Sequence, residues 1–97
     1  MTIEKKVNGE AATLVVAGRL DTQTAPELEK EIDALVGVKD LVLEMTGLDY
    51  VSSAGLRVIL KAQKMMNALG SMKLTGVSDN IMEVFDITGF LDILTIE

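Results

Sequence analysis

The sequence predicts an α/β fold, a single domain over residues 1–97 with a mixed, mostly parallel sheet opened by an N-terminal hairpin and covered by amphipathic helices. Three observations predict it. Asn8-Gly9 stands between two strand-like runs, and both residues tolerate the positive φ of a two-residue hairpin turn. Beyond the hairpin, segments with apolar residues at helical spacing alternate with short apolar runs. Gly37, Gly70 and Gly89 stand where the helical patterns stop.

Taken in order, the first segment (TIEKKVNG) places Ile3, Lys5 and Val7 on one face and Glu4 and Lys6 on the other, the pattern of a charged edge strand that discourages pairing with other chains. ATLVVAG returns as a buried strand, and GRLDTQT, from Gly18 to Thr24, reads as a polar connection. Pro26 suits the first turn of a helix, with Thr24 as its cap and Glu27 and Glu29 near its positive end. Ala25, Leu28, Ile32, Leu35 and Val36 supply its apolar face, and Gly37 is placed to stop it. DLVLEM is short and nearly all apolar, as expected of a central strand covered on both faces. A long helix follows from Ser53 to about Leu69, ended by Gly70, and MKLTGV is another strand. SDNIMEVFDITG forms a shorter helix capped by Ser78 or Asp79, with Ile81, Val84 and Phe85 inward and Gly89 at its end. FLDILTIE closes as a strand or short helix. Leu28, Ile32, Leu43, Ile59 and Phe85 are the expected core.

Composition narrows the function. Hydrophobic residues make up 48% and aromatics only 3% of 97 residues, so a core of aliphatic side chains and methionine is expected, without rings for stacking bases. The net charge of −6 repels phosphate backbones; no nucleic-acid partner is expected, and a protein with a basic contact patch suits the balance better. With no cysteine and no histidine, the chain has no disulfide, no thiolate or imidazole metal site, and no Ser-His-Asp or Cys-His catalysis. No glycine-rich phosphate loop is present, and no carboxylate pair stands out, so the expectation is a chain that is not an enzyme and takes neither cofactor nor metal. MTIEKKV lacks the apolar region of a signal peptide, and no apolar run reaches membrane-spanning length; a cytoplasmic protein without direct membrane insertion is expected.

The most informative stretch is LDYVSSAGLRVIL, Leu48 to Leu60. Ser52 fits the N-cap, where a hydroxyl accepts a hydrogen bond from a free first-turn N–H. Ser53 then falls at the first helical position, where a side chain points outward. Neither serine has Glu or Gln three residues on, so there is no capping box. One cap needs one serine, and a helix N-terminus carries a phosphate without unfolding because its N–H groups and positive potential face it. The helix is also more apolar than a core face requires. Gly55, Val58, Ile59, Ala62, Met65, Met66 and Leu69 suffice for that, which leaves Leu56 and Leu60 as a second stripe flanked by Arg57, Lys61 and Lys64. That stripe reads either as a partner-binding surface or as a face covered by the last helix of the chain.

GRLDTQTAPEL, an apolar strand, LDYVSSAGLRVIL, a Ser-Asp-Asn turn and VFDITGFLDIL together resemble the STAS domain, and in particular the bacterial anti-sigma factor antagonists, in order and spacing over essentially the whole chain. The resemblance implies a phosphorylated serine at the start of this helix, two residues before a glycine, which is Ser53 with Gly55 following. It implies an anti-sigma factor with serine kinase activity as partner: the unphosphorylated antagonist binds it and frees the sigma factor, phosphorylation blocks binding, and a phosphoserine phosphatase resets the switch. Asp21 matches a family aspartate lying near the phosphorylation site, although among its own neighbours it reads as a loop or cap residue. Two positions depart from the family pattern. Ser52 stands where an aspartate is common, which makes it the alternative acceptor, and Ala54 stands where Ser or Thr is common. The implied contact residues are Asp21, Ser52, Ser53, Leu56, Arg57 and Leu60. The competing reading is a STAS interaction subunit of a stress-signalling assembly or a transporter, without a serine switch.

Overall fold

The computed structural model describes all of residues 1–97. Strands β1 (Thr2–Asn8) and β2 (Ala11–Leu20) form the opening hairpin; α1 (Ala25–Asp33), β3 (Asp40–Glu44), β4 (Leu48–Val51), α2 (Ser53–Leu69), β5 (Ser71–Thr75) and α3 (Asp79–Ile87) follow, and a single 3₁₀ turn, Phe90–Asp92, precedes the C-terminus. The sheet runs β1-β2-β3-β5, with β4 added to β2. Only β1–β2 is antiparallel; the β2–β3, β2–β4 and β3–β5 ladders are parallel. This is the mixed, mostly parallel α/β sheet that the sequence predicts.

One face of the sheet carries the core. Ala12, Leu14 and Val16 of β2, Leu41 and Leu43 of β3, and Met72 and Leu74 of β5 are buried there. The intervening Thr13, Val15, Val42, Glu44 and Thr75 are only half-buried, and Lys73 is exposed. β3 is therefore not covered on both faces, contrary to the expectation from its apolar run. The register explains why. Val42 lies between Thr13 and Lys73, and Glu44 between Val15 and Thr75, so the open face offers polar rows on which no apolar layer can settle.

Local chemistry accounts for the other differences. Helix α1 stops at Asp33 and not at Gly37: the N–H of Leu35 already bonds to the carbonyl of Ile32 in the tighter three-residue pattern, and Val36 emerges 89% exposed. Gly70 does end α2, but its backbone is extended and the demand for glycine is spatial; a Cβ there would lie 1.9 Å from the carbonyl oxygen of Lys39. Gly89, at φ +79°, ends α3 in the left-handed form as expected. β2 continues through Gly18 to Leu20 because β4, too short to declare itself in the apolar pattern, pairs with those last residues. Beyond the 3₁₀ turn the chain makes one bridge, Leu74 to Ile96, and not a strand.

Twenty-three buried apolar residues form one cluster. Leu28, Ile32, Leu43, Ile59 and Phe85 all belong to it, each at most 2% exposed, while Val84 is only partly buried. Leu43→Ala and Ile59→Ala are expected to lower stability by about 2–5 kcal/mol each in urea melts, through lost transfer energy and the cavity left behind. Val36→Ala should stay within about 0.5 kcal/mol, as at other surface positions; a larger loss there would show that Val36 is packed in solution.

Candidate functional site

The site forms where the end of β2 meets the start of α2. Leu20 pairs with Val51 of β4, and its carbonyl accepts the N–H of Ser52 at 2.9 Å. One turn on, Gly55 leaves no space for a side chain: a Cβ would stand 2.7 Å from Leu20 Cγ and 3.0 Å from the Leu20 carbonyl oxygen. The first turn of α2 thus rests directly on Leu20. Asp21, the next residue along the chain, is brought to the same end of the sheet as Ser52 and Ser53.

The two serines divide their roles as their positions require. Ser52 has extended backbone, is half-buried, and its Oγ accepts the N–H of Gly55 at 3.3 Å. Ser53 begins the helix and is exposed. Helix geometry leaves the N–H groups of Ser53 and Ala54 without an intrahelical acceptor, and no acidic side chain lies in this first turn. Helix α3 repeats the arrangement: Ser78 Oγ accepts the N–H of Ile81 at 3.3 Å, and the residue after the cap is exposed Asp79. At the position matching Ser53, then, α3 already carries an anion.

Asp21 has a structural task. Its Oδ1 accepts the N–H of Thr24 at 3.1 Å and that of Gln23 at 3.0 Å, organising the turn into α1. Those bonds, that to the Thr24 N–H foremost, hold the carboxyl below its ordinary value of 3.8. Thr24 occupies the N-cap of α1 but does not cap it. Its hydroxyl donates to the carbonyl of Arg19 at 2.7 Å and accepts the N–H of Asp21 at 2.8 Å, so the expected cap is replaced by a bond back to β2. Two neighbours escaped the sequence reading. Arg19 and Tyr50 face each other across the β2–β4 ladder, with the guanidinium 4.1 Å from the ring centroid and its Nε 3.8 Å from Asp21. Tyr50 is the sole tyrosine and is 41% exposed; a lone aromatic two residues before the serines was the available signal.

Along α2, Ser53, Arg57, Leu60 and Lys64 recur at intervals of four, three and four residues and share one outward stripe. Arg57 is exposed and Leu60 half-buried. Leu56 does not belong to that stripe. It is 8% exposed and joins the core on the flank it shares with buried Gln63, one heptad further along, which corrects its expected place on a contact surface. Arg57, Leu60, Lys61 and Lys64 line a shallow groove of about 300 Å³. Lys61 is tied to α1, 2.9 Å from Glu29 and 3.2 Å from Asp33, and the bond to Glu29 above all raises its pKa. Helix α2 contains no aspartate or glutamate, so its outward face is cationic on a chain of net charge −6.

The Asp21 carboxylate should leave a pH signature. A depressed folded-state pKa contributes stability that is full above the unfolded value, near 3.8, and is lost as pH falls through the lower folded value. The stability gap between wild type and Asp21→Asn in urea melts is therefore expected to shrink from pH 6 to pH 3. A gap independent of pH would remove the carboxylate from the turn's energetics.

The STAS domain model matches residues 2–97. BtrV of Bordetella bronchiseptica, which bears the name of an anti-sigma factor antagonist, is 39% identical over 82 residues, spanning 81% of this chain and 71% of BtrV. The anti-sigma-B factor antagonist of Staphylococcus aureus is 30% identical over 97 residues, spanning 97% of this chain and 90% of its own. The fold is that of the Bacillus anti-sigma factor antagonist SpoIIAA. Its unphosphorylated form matches with a TM-score of 0.85 at 18% identity, covering 99% of this chain and 88% of that one, and its phosphorylated form with 0.78 at 18%, covering 99% and 91%. Anti-sigma factor antagonists are non-enzymatic regulators. By its match over nearly the full length and its identity to these relatives, the chain belongs to the STAS domain family and, within it, to the anti-sigma factor antagonists.

Proposed function

We propose that this chain is a phosphorylation-gated antagonist, acting in the cytoplasm as one domain over residues 1–97. Unmodified, it binds an anti-sigma factor that is also a serine kinase, and the sigma factor is released. The kinase transfers the γ-phosphoryl group of ATP to Ser53 Oγ, with ADP and a proton as the other products; binding then ends until a phosphoserine phosphatase restores the hydroxyl. The observation that carries this reading is an exposed Ser53 directly after a Ser52 already engaged as the cap. Phosphate on Ser52 would instead remove the cap of α2, which makes it the weaker acceptor.

The contact face assigned to the partner contains Asp21, Ser52, Ser53, Arg57 and Leu60, with Arg19 and Tyr50 added and Leu56 left out. Its outward helix face is cationic, so the complement on the partner is acidic there, the reverse of what the net charge suggested. A phosphate adds about −1.5 to −2 charges. It stands at the start of its own helix, where N–H groups are free, as the Asp79 carboxylate stands in the first turn of α3, and therefore leaves the fold standing. Against an acidic partner it repels and must also be desolvated. A change of about 3 kcal/mol weakens binding more than a hundredfold.

Ser53→Ala is expected to bind the anti-sigma factor constitutively, whereas Ser53→Asp binds poorly yet melts like wild type. Ser52→Ala should cost about 1 kcal/mol of stability through the lost cap and leave phosphorylation intact. Pulldown from native extract with wild type and Ser53→Asp as baits identifies the kinase, and phosphopeptide mapping after incubation with it and ATP decides the acceptor. Phosphate on Ser52 alone, or on neither serine, would overturn the assignment; a permease or stress-complex scaffold in place of a kinase would favour the switchless interaction subunit.

A further inference from the structure

Six of the nine basic side chains are ion-paired; Lys30, Arg57 and Lys64 are not. Of those three, Arg57 and Lys64 share the outward stripe of α2 with Ser53, at four and eleven residues' distance. Arg57 is one turn away, about 6 Å along the axis, where side chains four apart meet; Lys64 is about 16 Å away, beyond contact. Three charged side chains of the neighbouring elements are already engaged. Asp21 is bonded into its turn, Arg19 is held between Asp21 and the Tyr50 ring, and Lys61 is drawn to Glu29 and Asp33 on α1. Arg57 is thus the one unpaired cation of α2 within a helical turn of Ser53.

We infer that Arg57 is the internal receptor for a phosphate carried on Ser53. The guanidinium fork and the phosphate oxygens match for two parallel charge-assisted hydrogen bonds, a geometry that a lysine point charge does not reproduce. In the unmodified chain Arg57 is free and helps make the groove of α2 cationic. In the modified chain it is turned toward the start of the helix, its charge is compensated within the molecule, and the groove loses the cation nearest the contact face. Phosphorylation then acts twice, by adding an anion and by withdrawing Arg57 from the partner. This rests on Ser53 as the phosphate-bearing residue and adds a named residue to how the phosphate works.

The test installs phosphoserine at position 53 during translation, so no kinase is needed, and follows the second phosphate ionisation by ³¹P NMR titration. In wild type that pKa is expected to lie about half a unit or more below that in Arg57→Gln, a threefold or larger change in proton affinity. Arg57→Lys should recover only part of the difference, Lys64→Gln should match wild type, and about 1 M salt should narrow the gap. Because Arg57 is exposed, the unmodified Arg57→Gln protein should melt like wild type, which separates a charge effect from a structural one. Equal values in wild type and Arg57→Gln, or a shift lost in Arg19→Gln and kept in Arg57→Gln, would overturn the inference. The antagonist reading fails by different results, since phosphopeptide mapping elsewhere than Ser53 would leave this titration readable.

Discussion

The contact between Leu20 and the first turn of α2 is the constraint on which the site depends. Leu20 is fully buried, its carbonyl receives the Ser52 N–H, and its side chain occupies the space that a Cβ on Gly55 would need. One residue therefore fixes three things: where β2 ends, where α2 begins, and how closely they approach. The direction of the helix axis follows, and with it the outward aim of Ser53. The position of Asp21 follows as well, because the chain leaves Leu20 straight into the turn that Asp21 organises.

That junction is polar at its rim and apolar beneath. Ser52, Thr24 and Asp21 spend their hydrogen bonds on backbone groups of the junction itself. Ser53 and Arg57 have no such duty. Side chains bonded into the fold and side chains free of it thus alternate along a few residues, so a substitution at Ser53 changes the surface without dismantling what holds it up. The Ser78–Asp79 pair at the start of α3 shows that the architecture accommodates a charged residue after a serine cap.

Charge is distributed with similar economy. The chain is acidic, yet α2 has no acidic residue, and its one tethered lysine, Lys61, bridges to Glu29 and Asp33 of α1. Exposed ion pairs of this kind contribute modestly to stability. Their larger effect is to leave Arg57 and Lys64 as the free charges of that face. The open face of the sheet has rows through Thr13, Val42 and Lys73 and through Val15, Glu44 and Thr75, and the core lies on the opposite side.

The sequence by itself determined the hairpin at Asn8-Gly9, the alternation of helices and strands, the five core residues and the Ser52 cap, because each rests on local periodicity or turn chemistry. It was enough to recognise the family. What it could not decide depended on neighbours distant in the chain. β4 is four residues long and exists because β2 extends to meet it. The all-apolar look of β3 hid its open face, since Thr13 and Lys73 reach it only through strand pairing. Leu56 and Leu60 looked alike as one stripe, yet the packing of α2 buries the first beside Gln63 and half-exposes the second. Arg19 and Tyr50, thirty-one positions apart, became one cation–π pair only when the ladder brought them opposite each other. Local signals are written along the chain, whereas coverage, register and the company a side chain keeps are settled by tertiary packing.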